Sequence, residues 1–154
     1  MKRAILTASA AAFALAASAG YAAARDQITP IAEVRALRDL MPDPSSLRDM
    51  DAAAARIWRA ARDRERIAIF ADYDVDGGAS AALLTQWLRG LGHGATLYVP
   101  DRIDEGYGPN VPAMARLGAA HDLILCVDCG TLSHEAIAAA GCDVVVLDHH
   151  QGAE

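Results

Sequence analysis

Aromatic side chains are scarce in this sequence. Phe, Trp and Tyr make up 5% of its residues, which excludes a core of stacked rings and leaves one built from Leu, Ile, Val and Ala. Cysteine is scarcer still. The three, Cys126, Cys129 and Cys142, are an odd number and a poor disulfide framework. "CVDC" has the C-x-x-C spacing of redox and zinc sites, but no second pair exists and the motif follows an apolar run instead of opening a helix after one. Two strand-end cysteines are the simpler reading. Basic residues are outnumbered, 14 Lys and Arg against 20 Asp and Glu, for a net charge of −6. That argues against a surface that grips nucleic acid by itself, because phosphate neutralisation needs cations; it suits a site that collects divalent metal. No apolar run is long enough for a transmembrane helix, and past residue 30 there is no internal repeat or low-complexity linker.

The N-terminus has the pattern of a secretory signal peptide: Lys2 and Arg3, an apolar run over 4–17, and small residues over 19–24. The alternative is an alanine-rich helix of a soluble protein. The organisation expected from this is a signal-like leader over 1–24, a helical segment over 25–65 and an α/β domain from 66 onward.

Within 25–65 the helical pattern breaks at Pro42 and Pro44, and Ser45 or Ser46 can cap the helix beyond them. Met50, Ala54, Ile57, Trp58 and Ala61 fall on one face at helical spacing, with an Arg-rich opposite side exposed to solvent. From residue 66 short β-branched runs alternate with helical patterns. "RIAIFA", "ATLYVP", "DLILCV" and "DVVVL" read as strands. Between them lie a helix with the stripe Leu83, Leu84, Trp87, Leu88 and Leu91 that stops at Gly92, a helix capped by Asn110, and an alanine-rich helix started by Thr131 or Ser133 that stops at Gly141. His93, His121 and His134 read as surface residues. This order predicts an α/β fold: a parallel sheet, apolar on both faces, with helices on both sides and four strands in the sequence given.

Each strand runs directly into polar residues: Asp72 after the first, Asp101 and Arg102 after the second, Asp128 after the third, Asp148, His149 and His150 after the fourth. Ligands of open α/β sheets bind outside those carboxyl ends. The stretch "DYDVDGG" adds Asp74 and Asp76, followed by Gly77 and Gly78. Its D-x-D-x-D-G spacing opens an EF-hand loop, but the twelfth position is Leu83 where that loop needs a bidentate Glu. So many carboxylates at one rim repel unless a cation relieves them. Oxygen ligands with one or two imidazoles favour Mn²⁺ or Mg²⁺, and a pair of such ions suits phosphoryl chemistry. The two glycines would let backbone approach a phosphate at the start of the following helix. Asp74 and Asp76 could also simply cap that helix.

"DYDVDG", "PDRIDEGYG", "VDCGT" and "DHH" occur in the order and at spacings similar to the DHH phosphoesterase superfamily. With "LRDLMPDPSSLRDMDAAAARI" ahead of them, the sequence over about residues 35–154 resembles the RecJ-type single-stranded-DNA exonucleases. It departs in having Ala71 where glycine is frequent and Leu147 where Thr often precedes the DHH. The resemblance implies Asp74 and Asp76 as ligands of separate ions, Asp128 bridging both and His149 completing one sphere. It implies Asp72, Asp148 and His150 as catalytic groups beside them, with Gly77, Arg102, Gly106, Tyr107 and Gly108 lining the substrate. Tyr107 could stack on a base or pack into its own loop. The implied activity is 5′-to-3′ hydrolysis of single-stranded DNA with two Mn²⁺ or Mg²⁺ ions, in the cytoplasm, which conflicts with a secretion leader. Such proteins add a further ligating Asp, a DHHA1-type domain and an oligonucleotide-binding fold, so this sequence reads as an N-terminal fragment. The alternatives are a non-catalytic metal-binding α/β module, a DHH phosphodiesterase of short oligonucleotides or dinucleotides and, further behind, a phospho-acceptor domain of flavodoxin type.

Overall fold

The computed structural model describes residues 5–8 and 42–152. Strands β1 (Ile5–Ala8), β2 (Ile67–Ala71), β3 (Ala95–Tyr98), β4 (Leu123–Val127) and β5 (Asp143–Leu147) form one parallel sheet in the order β1-β5-β4-β2-β3. Helices α1 (Met50–Arg62), α2 (Val75–Gly90), α3 (Val111–Ala120) and α4 (His134–Ala139) supply the covering layers. The four strands read from the sequence are present, and Ile5–Ala8 adds a fifth beside β5. An apolar run too short to span a membrane is long enough for a strand. The rest of the leader, 1–4 and 9–24, and the segment 25–41 lie outside the described residues. No described helix is long and apolar enough to cross a membrane.

Period-two alternation divides the core. Ile67, Ile69, Ala71, Leu123, Leu125, Val127 and Val145 meet α1 and α2 through Ala53, Ile57, Ala60, Ala61, Ala81 and Leu88. Ala68, Phe70, Ile124, Cys126, Val144 and Val146 meet α3 and α4 on the other face, through Ala113, Met114, Leu117, Ala136 and Ile137. Both faces of the central strands are therefore apolar, as parallel pairing under helices requires. α1, within the helical segment ahead of residue 66, closes one of these faces.

Two helical stripes sit differently from expectation. The buried face of α1 is Ala53, Arg56, Ile57, Ala60 and Ala61, while Trp58 is 53% exposed. Alanines let α1 approach the sheet closely, and Trp58 instead lies against Trp87 of α2 with ring centroids 6.4 Å apart. Leu83 and Leu91 are exposed for the same reason: α2 buries Gly77, Ala81 and Leu88. Neither Ser45 nor Ser46 caps α1, whose N-cap is Asp49; Asp43 caps the short 3₁₀ turn Pro44–Ser46 through Ser45 N–H. His93 is buried, with Nδ1 2.6 Å from the Gly94 carbonyl, and His121 is half-buried, bridging Leu117 and Thr96. His134 is exposed as expected.

Arg56 is the one arginine of α1 drawn inward. Its Nη2 donates to Glu65 and its Nε to Asp143, each at 2.7 Å, tying α1 to the start of β5. Replacing a buried cation so paired strands both acids, but Asp143 is half-exposed and water recovers part of the loss. Arg56→Ala is expected to lower unfolding free energy by about 1–3 kcal/mol in urea denaturation, whereas Arg59→Ala on the exposed face stays within about 0.5 kcal/mol.

Candidate metal centre

The sheet's register builds the site. Ala71, Val127 and Leu147 are paired partners at the ends of β2, β4 and β5, so the next residues, Asp72, Asp128 and Asp148, leave the sheet side by side. Two further ladder bonds hold them there: Asp72 N–H to Val127 O at 3.3 Å and Asp128 N–H to Leu147 O at 2.9 Å. The chain steps outward from β2 to β3 and then returns to place β4 on the other side of β2, so the row straddles the topological switch point. All three aspartates are buried.

Asp128 adopts φ +60°, a left-handed conformation that short polar side chains tolerate. One ligand atom each from Asp72, Asp74 and Asp128 lies within 4.8 Å of the others, and the same holds for Asp128, His149 and His150. Asp128 is common to both groups. His149 Nε2 stands 3.1 Å from its Oδ1. Asp74 is the N-cap of α2, its Oδ1 accepting from Asp76 N–H at 3.0 Å and Gly77 N–H at 3.1 Å. Capping and ligation do not compete here, because a carboxylate has acceptor sites on two oxygens.

Asp76 is in neither group. The D-x-D-x-D spacing puts three carboxylates on one side only of an extended chain, and the helix begins at Val75, so Asp76 lies exposed on the first turn of α2. Gly77 is buried with its Cα against the Asp72 peptide, while Gly78 faces open space.

Charge in the cluster is arranged around one proton. Burial, then a hydrogen bond shared with Asp74, pushes the Asp128 carboxyl up to about 6. The Gly77 N–H holds Asp74 below the usual range, and burial raises Asp72. Burial alone would raise Asp148 as well, but hydrogen bonds from Thr131 and His150 overcome it and hold Asp148 at about 2. Its hydrogen bond to Asp148 raises His150.

Over this floor hangs the loop after β3. Glu105 fastens it, accepting from the Tyr98 hydroxyl, from Asp101 N–H at 3.0 Å and from Asn110 Nδ2 at 3.5 Å. Gly106 and Gly108, at φ +80° and +73°, turn the chain on either side of Tyr107. The Tyr107 hydroxyl donates to Asp128 O at 3.3 Å and lies 3.1 Å from His150 Nδ1. Its ring is edge-on to Tyr73 at 6.5 Å, and the Arg102 guanidinium stands 5.3 Å over the Tyr73 ring. Tyr107 thus reaches the centre instead of folding into its own loop. Tyr73 and Thr131 are the residues the sequence reading missed. Tyr73 could have been found as the aromatic between two aspartates, whereas Thr131 passed for a helix cap. The cysteines are free: Cys126 and Cys129 are buried, and burial pushes the Cys126 thiol up to about 12, which makes them inert packing.

The donor set fits a hard divalent cation. It is oxygen-rich with imidazole at one end, and Asp72 Oδ1 is buried without a hydrogen-bond partner among the described residues, which a cation would supply.

Residues 66–154 match the DHH family, N-terminal domain. The chain is 40% identical over 113 residues to the single-stranded-DNA-specific exonuclease RecJ of Bacillus subtilis, a match covering 71% of this chain and 14% of that protein. To RecJ of Dickeya dadantii it is 40% identical over 122 residues, 75% of this chain and 21% of the relative. A crystal structure of exonuclease RecJ bound to manganese superposes with a TM-score of 0.62 at 36% identity, over 67% of this chain and 28% of the other. RecJ from Thermus thermophilus in complex with Mn²⁺ gives 0.57 at 31% identity, over 67% and 15%. The chain spans 14% of the Bacillus relative's length and 21% of the Dickeya relative's. With the family's model matched over residues 66–154, more than half of this chain, and its strand-end aspartates and histidines gathered at one rim, the chain belongs to the DHH family and is of RecJ type.

Proposed function

We propose that this chain is the metal-holding part of a phosphodiesterase that hydrolyses single-stranded DNA from the 5′ end, in the cytoplasm. The observation that carries it is the pair of three-residue donor groups sharing Asp128. Asp72, Asp74 and Asp128 would hold one divalent ion, and Asp128 and His149 would hold the other, with His150 beside the substrate; the family resemblance adds Asp76. Two Mn²⁺ or Mg²⁺ ions would supply charge for a developing phosphorane and acidify an attacking water. The chain's own groups do the rest. Arg102, exposed and stacked on Tyr73, offers a cation to a backbone phosphate. Tyr73 and Tyr107 offer ring surfaces to unstacked bases, which a duplex does not present. The N-terminus of α2 favours an anion near Gly78.

The test is Mn²⁺ calorimetry on the full chain with hydrolysis of 5′- and 3′-labelled single-stranded DNA on the same sample. Uptake of about two ions per chain, with nucleoside 5′-monophosphate released from the 5′ end and duplex left intact, is the expected result. A folded sample that takes up no divalent ion overturns the reading. Because the chain spans only 14–21% of these relatives, a metal-binding module without hydrolysis is the second reading, and Mn²⁺ uptake without cleavage selects it.

A further inference from the structure

Asp148 accepts five hydrogen bonds. Oδ2 takes the N–H of Thr131 at 3.0 Å and its hydroxyl at 2.6 Å. Oδ1 takes the backbone N–H groups of His149 and His150 at 2.7 and 3.2 Å, and His150 Nδ1 lies 2.7 Å away. The Asp148 side chain is 2% exposed, so water does not compete for it. We propose that Thr131 is a positioning residue: by saturating Oδ2 it locks the Asp148 carboxylate, commits Oδ1 to the Nδ1–H of His150, and so leaves Nε2 as the acceptor nitrogen of the neutral ring.

An ionised carboxylate only accepts, so the nitrogen it contacts must carry the proton, and a neutral imidazole then has its lone pair on the other nitrogen. A second claimant makes the lock necessary. The Tyr107 hydroxyl lies 3.1 Å from Nδ1 and 3.4 Å from Nε2, and with Nδ1–H engaged by Asp148 its proton stays on the Asp128 carbonyl. Without the Thr131 hydroxyl, Oδ2 keeps a single backbone donor and the carboxylate is free to turn. Nδ1 then becomes available to Tyr107, and the ring can take the other tautomer. The use of Nε2 rests on the function proposed above; the tautomer does not.

Long-range ¹⁵N–¹H correlation of the His150 ring, in metal-free full chain at alkaline pH where the ring is neutral, reads this directly. Wild type and Thr131→Ser are expected to show the Nδ1–H form. Thr131→Val is expected to raise the Nε2–H share several-fold and to weaken Mn²⁺ binding about tenfold, the usual effect of losing an outer hydrogen-bond partner. An Nε2–H ring in wild type overturns the proposal with no variant required, so a Thr131→Val protein that fails to fold does not protect it. A Val variant matching wild type also overturns it. So does a Ser variant behaving like Val, which would assign the effect to the Thr131 methyl packed near Gly152. A wild-type chain that neither binds Mn²⁺ nor cuts DNA would count against the proposed function and leave the tautomer result intact.

Discussion

Asp128→Asn is expected to weaken Mn²⁺ binding about 100-fold or more while making the metal-free protein more stable above about pH 6. Both effects come from the same buried proton. In the metal-free protein the Asp128 carboxyl titrates at about 6 because it is buried and shares a hydrogen bond with ionised Asp74. An unfolded Asp titrates near ~3.9. Between those values the native state holds a proton that the unfolded chain has released, so stability falls as pH rises, and above about 6 the full loss has been taken. The shift corresponds to about 3 kcal/mol, and exposure of the partner Asp74 discounts this to about 2 kcal/mol. Asparagine has no proton to lose. Its amide donates to Asp74 where the carboxylic acid did, and it accepts the left-handed conformation at φ +60° as readily as Asp.

Urea unfolding of both proteins at about pH 4.5 and about pH 7.5 reads the difference, on either side of the native pKa. The two should be nearly equally stable at the lower pH, with the variant ahead by about 2 kcal/mol at the higher. Curves that stay parallel would remove the buried proton from the account. For metal the sign reverses. Asp128 is the carboxylate common to both donor groups, and an amide in its place brings no charge, so Mn²⁺ affinity should fall about 100-fold or more. In wild type near pH 5, calorimetry in two buffers of different ionisation enthalpy should detect a proton released on binding, since ligands must deprotonate. The variant should release none from this position. Evolution would then be keeping a destabilising acid at position 128 because the cation requires it, a trade between stability and function.

Much of this was legible in the sequence, and the rest was hidden for definite physical causes. Apolar runs of four to six residues bounded by Gly, Pro and Asp gave the four strands to within a residue or two, and Asn110 capped its helix as expected, through Ala113 N–H at 2.9 Å. The strand-end rule placed Asp72, Asp128 and Asp148 at one rim before any register was known. Spacing could not show where the backbone changes: the chain turns helical at Val75 and sets Asp76 on the first turn of α2, outside both three-residue groups. On α1, Trp58 drew the apolar stripe towards itself because it is the largest apolar side chain there; a close helix–sheet contact favours alanine and leaves the indole outside. Arg56 could not have been read at all. Its reason for being buried includes Asp143, 87 positions away. Thr131 was lost in a similar way, since Asp148 is 17 positions further on, and a Thr before a helix has an ordinary explanation ready.

Two adjacent glycines should respond oppositely to the same substitution. A Cβ on Gly77 would sit 2.4 Å from the Asp72 carbonyl oxygen, 2.8 Å from its carbon and 2.9 Å from its nitrogen. All three are backbone atoms and none can swing aside. A Cβ on Gly78 would meet nothing within 4 Å. Both positions are in the first turn of α2, where alanine gains up to about 1 kcal/mol over glycine. Gly78→Ala should therefore be neutral or stabilising by up to that amount. Gly77→Ala must push the start of α2 away from the turn after β2. Such overpacking costs about 1–3 kcal/mol, and here it meets rigid main chain and outweighs the helical gain. The displacement also separates ligands. Gly77 N–H is bonded to Asp74 Oδ1 at 3.1 Å, and the new methyl group bears on Asp72, so the two carboxylates that share one donor group would be driven apart. Mn²⁺ affinity should fall about tenfold or more in Gly77→Ala and hold in Gly78→Ala, where misplacing a site by about 1 Å is the source of the loss. Urea denaturation and Mn²⁺ titration of the two variants decide between two roles for Gly77. If it served only to admit a phosphate to the helix N-terminus, its alanine variant would keep wild-type stability and metal affinity and weaken DNA binding alone. If it seats α2 on Asp72, as its burial and the Asp72 contacts require, stability and metal affinity fall together before any DNA is added.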